Sequence, residues 1–223
     1  MTTTAPKHPA RYSPAILERI TEALAPADTY RRVLDPFAGV GGIHALGAAG
    51  HDTYGVELEP EWADQHPRTV TGDARNVGAL WPAGSFDAVA TSPTYGNRMA
   101  DHHNAQDGSS RRTYKHTLGR DLTDGNAGAM QWGDAYRDLH AEVWAAVVPL
   151  LRPGGRFVLN CRDHQRDKER VHVTAWHIAE LVALGLVLVS TTEVDTPGYR
   201  FGANTTVRYP EVVAVLDVPG AES

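Results

Sequence analysis

The sequence predicts an α/β protein: a mainly parallel, seven-stranded sheet with an antiparallel last strand and helices on both faces. Three observations predict it. Short apolar runs alternate with segments of helical period along most of the chain. The first run ends in an acidic residue and a glycine-rich turn, VLDPFAGVGG, that opens a helical segment. The last two apolar runs are joined by residues 195–210, which carry no helical pattern, so they read as an antiparallel pair at the sheet edge.

The elements come in this order. Ser13 before Pro14 is a helix start, a capping hydroxyl with proline at the first helical position, so a helix is expected over 13–24. Strands are expected at 32–37, 52–58, 68–72, 86–92, 155–161, 186–194 and 211–218. Further helices are expected at 42–50, 134–151 and 173–185. Between Asn97 and Gln131 there is little apolar periodicity, and Gly, Ser, Asn, Asp, His and Arg dominate. A connection this long in a compact domain reads as a substrate or lid loop, or as a disordered segment.

With 223 residues, 42% hydrophobic and 22% charged, the chain suits one soluble domain over 1–223 with a core of its own. Cys161 is the single cysteine, so no intramolecular disulfide forms and a reducing, cytoplasmic setting is expected. It ends an apolar run and is expected to pack rather than react. No stretch approaches the roughly 18 apolar residues of a membrane span, and the N-terminus lacks the apolar core of a signal peptide. A formal net charge of −6 confines any polyanion to a local basic patch.

Chemistry gathers at the expected carboxyl ends of the strands. Gly39-Val40-Gly41 supplies G-x-G, but His44 stands at the third glycine position, so the dinucleotide fingerprint is incomplete. Asp35 lies just before the turn, where it would repel a pyrophosphate and welcome a cationic ammonium group. Glu57 stands 22 positions later, the spacing at which an acid bonds ribose hydroxyls. Asp73, ending the third strand, suits an exocyclic adenine amine. The fourth strand, FDAVAT, breaks into Ser92-Pro93-Thr94-Tyr95, although proline cannot donate to a ladder.

DPFAGVGG, GVELEP, GDA and SPTY, in that order, resemble the class I S-adenosylmethionine-dependent methyltransferases. The DPF turn with the tetrad resembles in particular the DNA amino-methyltransferases that modify adenine N6 or cytosine N4. HPARYSPAILERI resembles the segment that closes over the methionine part of the cofactor in that family, here residues 8–24. The likeness covers residues 8 to about 164. It implies a Rossmann-like class I methyltransferase fold and S-adenosylmethionine as cofactor. It places Asp35, Phe37, Gly39, Gly41, Glu57 and Asp73 at the cofactor site, with Tyr12 and Ser13 beside them.

The resemblance also gives the tetrad a role. An exocyclic amine is a poor nucleophile because its lone pair is delocalised into the ring. Ser92 Oγ and the Pro93 carbonyl are two acceptors for its N–H groups, and Tyr95 offers a ring face to a base taken out of its stack. The family has a second proline where this chain has Thr94, which removes a restraint on Pro93. Arg111, Arg112, Lys115 and Arg120, with no acid among them, read either as phosphate contacts or as a solvated charge run. Tyr114 and Trp132 either stack on a base or pack the loop down. Arg200, Asn204 and Arg208 are substrate contacts or ordinary loop residues. His102-His103 lacks the partners of a metal site, and none is expected. DNA is the expected substrate. The alternatives are RNA, such as guanine N2 of tRNA, and a cofactor-binding module without catalysis.

Overall fold

The computed structural model describes residues 11–96, 114–196, 207 and 209–220, with the backbone alone at 115 and 116. Helix α1 (Pro14–Ala23) starts as expected: the Ser13 hydroxyl accepts from the Ile16 N–H at 3.3 Å, with proline in the first turn. Next come β1 (Arg32–Asp35), a 3₁₀ helix (Gly42–Ala49), β2 (Asp52–Glu57), α2 (Pro60–Ala63) and β3 (Thr69–Thr71). A second 3₁₀ helix (Ala74–Ala79) leads into β4 (Phe86–Thr91). From residue 114 onwards come α3 (Tyr114–Leu118), α4 (Asp134–Val147), β5 (Leu151–Arg162), β6 (His164–Arg166) and β7 (Glu169–Val171). Helix α5 (Val173–Ala183), β8 (Val187–Val194) and β9 (Glu211–Asp217) complete the chain.

The strand order is β3-β2-β1-β4-β5-β9-β8, parallel except where β9 inserts antiparallel between β5 and β8. This is the expected Rossmann-like sheet. It grows one way from β1 through β3 and the other way from β4, so β1 and β4 flank a switch point. Ligands bind outside the carboxyl ends of strands at such a point.

Alternation along the strands sorts the core into two layers. Val33, Ala88, Ala90, Val158 and Val213 pack on Ile16 and Ile20 of α1 and on Leu24, its C-cap. Leu34, Val89, Phe157 and Leu159 pack on Val143, Trp144 and Val147 of α4. Cys161 is fully buried in the second layer, and burial pushes its thiol pKa up, so it packs as expected. Among the described residues no helix is long and apolar enough to cross a membrane.

Three elements differ from expectation. The helix over 42–50 forms as a 3₁₀ helix, in a segment where Gly42 and Gly47 each weaken the α-helix by about 1 kcal/mol relative to alanine. The β6–β7 hairpin went unforeseen because Asp167 and Lys168 form its turn, with φ of 52° and 67°. Such turns usually announce themselves by Asn-Gly or Asp-Gly.

The third difference is the expected loop over 97–131, whose second half is built into the fold. Glu59, 0% exposed just beyond β2, accepts from Arg120 (2.6 Å), the Thr123 N–H (2.8 Å) and hydroxyl (3.0 Å), and Asn126 (2.7 Å). Arg120 also grips Glu61, from Nε at 2.8 Å and a terminal nitrogen at 2.6 Å. Glu59→Gln is therefore expected to cost about 1.5–3 kcal/mol, the worth of a hydrogen bond to a charged group. Urea unfolding measures it, and limited proteolysis should open the chain first between 114 and 131.

Candidate active site

The carboxyl ends of β1 to β4 open on one cavity of about 760 Å³, within the roughly 300–1,000 Å³ of small-molecule sites. At its floor the turn after β1 takes left-handed conformations at Gly39 (φ 54°) and Gly41 (φ 80°), which side-chain-bearing residues avoid. The imidazole of His44 fills the place of a third glycine. It bridges the Thr53 and Thr69 hydroxyls at 2.9 Å each and stacks on His66, a role in the fold rather than at a ligand.

Most of the expected cofactor residues line this cavity; Asp35 is not among the lining residues and is bonded to Tyr12 and Phe37, which are. Asp35 is 1% exposed and accepts from Thr91 (2.7 Å), the Phe37 N–H (3.0 Å) and the Tyr12 hydroxyl (3.0 Å). Burial outweighs these bonds and pushes its pKa up to about 6. Glu57 accepts from the Gly39 N–H and the Glu59 N–H, each at 2.9 Å. Burial raises it to about 7, with smaller upward pushes from the Glu59 and Asp35 charges. Asp73 caps the second 3₁₀ helix and clasps Arg75, whose hydrogen bonds hold its pKa low. Phe37 and Tyr12 line the cavity, and Phe37 packs edge-on against Trp144. Ser13 serves α1 as its cap and is not among the lining residues.

Ser92, Pro93, Thr94 and Tyr95 border the same cavity. Asn160 of β5 donates from Nδ2 to Glu211 (2.8 Å) and to Ser92 Oγ (3.1 Å), and Ser92 Oγ lies 3.2 Å from the Tyr95 hydroxyl. A carboxylate only accepts, so Glu211 fixes which way the Asn160 amide faces. Arg162 steadies the other Glu211 oxygen at 2.8 Å. The Tyr95 hydroxyl is thus engaged, and burial raises its pKa well above the usual phenol value. Asn160 Oδ1 and Thr94 Oγ1 are buried without a hydrogen-bond partner among the described residues.

Tyr114, Asn126 and Ala127 form the wall opposite the glycine turn. Tyr114 is 3% exposed and meets Trp62 edge-on, so it packs the segment down. Trp132 does likewise against Tyr136 and Trp176. Arg120, held by two carboxylates, is withdrawn from the expected phosphate contacts. Arg111, Arg112, Arg200, Asn204, Arg208 and His102-His103 lie outside the described residues, and of Lys115 the backbone alone is described, in α3.

Sequence reasoning puts NCRDH, 160–164, at the same sheet edge as Tyr95 but gives Asn160 no role, and it misses Glu211 and Glu59. Glu211 reaches the site through the antiparallel register Arg162↔Glu211, which no local pattern encodes.

No family model and no curated protein matches the chain. Solved structures match its fold. TrmN from Thermus thermophilus aligns with a TM-score of 0.56 at 20% identity, over 94% of this chain and 50% of that one. The 1,6-didemethyltoxoflavin-N1-methyltransferase of Burkholderia thailandensis, with S-adenosylhomocysteine bound, gives 0.52 at 18% identity, covering 92% and 80%. A TehB-like SAM-dependent methyltransferase from Corynebacterium glutamicum gives 0.51 at 19%, covering 90% and 85%. The chain has the fold of these methyltransferases, and it spans half the length of the Thermus protein.

Proposed function

We propose that the protein is an S-adenosylmethionine-dependent N-methyltransferase acting on an exocyclic amino group of a nucleobase, with DNA as the preferred substrate. The observation that carries this reading is the Ser92–Tyr95 tetrad bordering the cavity that Glu57 and Asp73 also line, with Asp35 bonded to Tyr12 and Phe37 of its wall. The donor set fits the cofactor. Asp35 offers a buried carboxylate to the ammonium, Glu57 two oxygens to the ribose, and Asp73 further lone pairs to the adenine amine. When bound, S-adenosylmethionine supplies a methyl group on an electrophilic sulfonium.

The chain's own residues orient and activate the acceptor. The Pro93 carbonyl accepts no hydrogen bond from the described residues and serves one amine N–H. Ser92 Oγ serves the other, provided that its own proton points to Tyr95. With Asn160 donating to one lone pair, a Tyr95 proton on the second would leave Ser92 a donor only. A substrate amine selects the first arrangement and turns the Tyr95 proton free. Two acceptors pull the amine towards a tetrahedral nitrogen, and the remaining catalysis is proximity.

Nucleoside mass spectrometry of DNA and RNA from cells expressing the protein, against cells expressing Ser92→Ala, tests the reading. A methylated amino base in DNA supports it. The same base in RNA alone moves the substrate to RNA, and no methylated base in either overturns it. Arg111 and Arg112 are proposed to grip phosphate. Replacing both with alanine should weaken binding to all duplexes alike and flatten the salt dependence by up to roughly 0.9 per lost contact, read from titrations at several salt concentrations.

A further inference from the structure

Beneath the tetrad, α4 presents Tyr136, His140 and Trp144 at four-residue intervals, and α5 brings His177 against them. Tyr136, Trp144 and His177 are each 0% exposed. The Trp144 indole N–H donates to His177 Nδ1 at 3.0 Å. An indole only donates, so Nδ1 carries no proton and the imidazole proton sits on Nε2. From there it points to the Tyr136 oxygen, 2.9 Å away. The Tyr136 proton is left one acceptor, the carbonyl oxygen of Thr94, to which it donates. Every hydrogen in this chain is therefore directed, and it ends on the backbone of the tetrad. Burial holds His177 far below its usual pKa, so the imidazole stays neutral and the direction is kept.

On the other side of Tyr95, the Gly96 carbonyl accepts from the Trp132 N–H at 2.7 Å. That approach requires a glycine: a Cβ at 96 would lie 2.9 Å from the Trp132 nitrogen. Tyr95 thus sits between two anchored carbonyls. The Thr94 anchor falls at the residue where a second proline would otherwise stiffen the turn.

We propose that Tyr136 and His177, directed by Trp144, are positioning residues that hold the 92–95 turn by fixing the Thr94 carbonyl, in place of the restraint a proline at 94 would give. Their importance for methyl transfer rests on the function proposed above; the restraint itself does not. Two variants separate it from ordinary packing. Tyr136→Phe keeps the ring against Trp132 and His140 and removes only the hydroxyl. Thr94→Pro removes an N–H that makes no hydrogen bond with the described residues and restores the ring.

Hydrogen–deuterium exchange on the intact protein, without cofactor or nucleic acid, reads the result. In Tyr136→Phe the amides of Ser92 and of Trp132, which donates to the Gly96 carbonyl at 2.7 Å, should exchange about tenfold faster, the effect of one lost hydrogen bond on local opening. In the Thr94→Pro background the same substitution should change them by less than about threefold, since the turn is then held covalently. Equal acceleration in both backgrounds, acceleration shared by α1, or no acceleration in Tyr136→Phe would overturn the proposal. A protein that methylates no nucleobase would leave these exchange rates as they are, so the two failures are told apart.

Discussion

Ser92→Ala is expected to lower turnover by about 10²-fold or more, the typical cost of removing one group aimed at developing charge, while leaving cofactor affinity unchanged. The cofactor-side carboxylates make their hydrogen bonds independently of Ser92, through Thr91, Phe37, Gly39 and Glu59. The loss therefore falls on kcat and on kcat/KM alike, the pattern of an interaction made in the transition state. Tyr95→Phe separates the ring from the hydroxyl. The ring face alone would suffice for stacking, but the hydroxyl faces Ser92 at 3.2 Å and, in the proposed arrangement, accepts the Ser92 proton and so frees a Ser92 lone pair. An intermediate loss of turnover with little change in KM is expected. Single-turnover rates on one methylatable oligonucleotide test both, and full activity in Ser92→Ala would remove the tetrad from the mechanism.

Asp35→Asn should weaken S-adenosylmethionine by about 2–5 kcal/mol, the cost of truncating a buried charge pair, or about 30-fold at the least. Yet the ligand-free variant should melt no lower than the parent at pH 8. Asp35 has its pKa raised from 3.8 to about 6, so folding binds a proton more tightly there than the unfolded chain does. Its share of stability falls as pH rises through that window, and above about 6 the ionised, buried carboxylate is a burden on the empty protein. Asparagine lifts the burden and keeps an acceptor for Thr91 and the Phe37 N–H. The cofactor responds the opposite way. Its ammonium needs the ionised form, so affinity should be level above about pH 6 and fall by up to about tenfold per unit below it. Calorimetry from pH 5 to 8 reads the profile. A variant with the same pH profile and affinity as the parent would take Asp35 out of the cofactor site.

The candidate residues that could be read in advance share one property: each stands at or just past the end of its own strand. Asp35, Glu57, Asp73 and Ser92 come directly after apolar runs, and a parallel sheet brings such ends to one edge. The residues that could not be read act through pairings between distant elements. Glu211 opens β9 like any polar strand start and becomes part of the site through its register with Arg162. Glu59 carries no local pattern that marks it, and its burial depends on a segment some sixty positions on, Arg120 to Asn126. His177 lies on an apolar helical face, where a histidine reads as packing. Its role depends on a neighbour that can only donate, Trp144, a fact of three-dimensional placement.

The clasp at Glu59 ties the chain ahead of α4 back to the end of β2. Gly96 is fixed by Trp132, and Tyr114 is fixed against Trp62. Gly96 and Tyr114 are thus two fixed posts, and part of the cavity wall is made by Tyr114 itself with Asn126 and Ala127 beyond it. Changing the number of residues between two such posts costs only about 0.6 kcal/mol per doubling of length, so the clasp at Glu59 should hold through such a change.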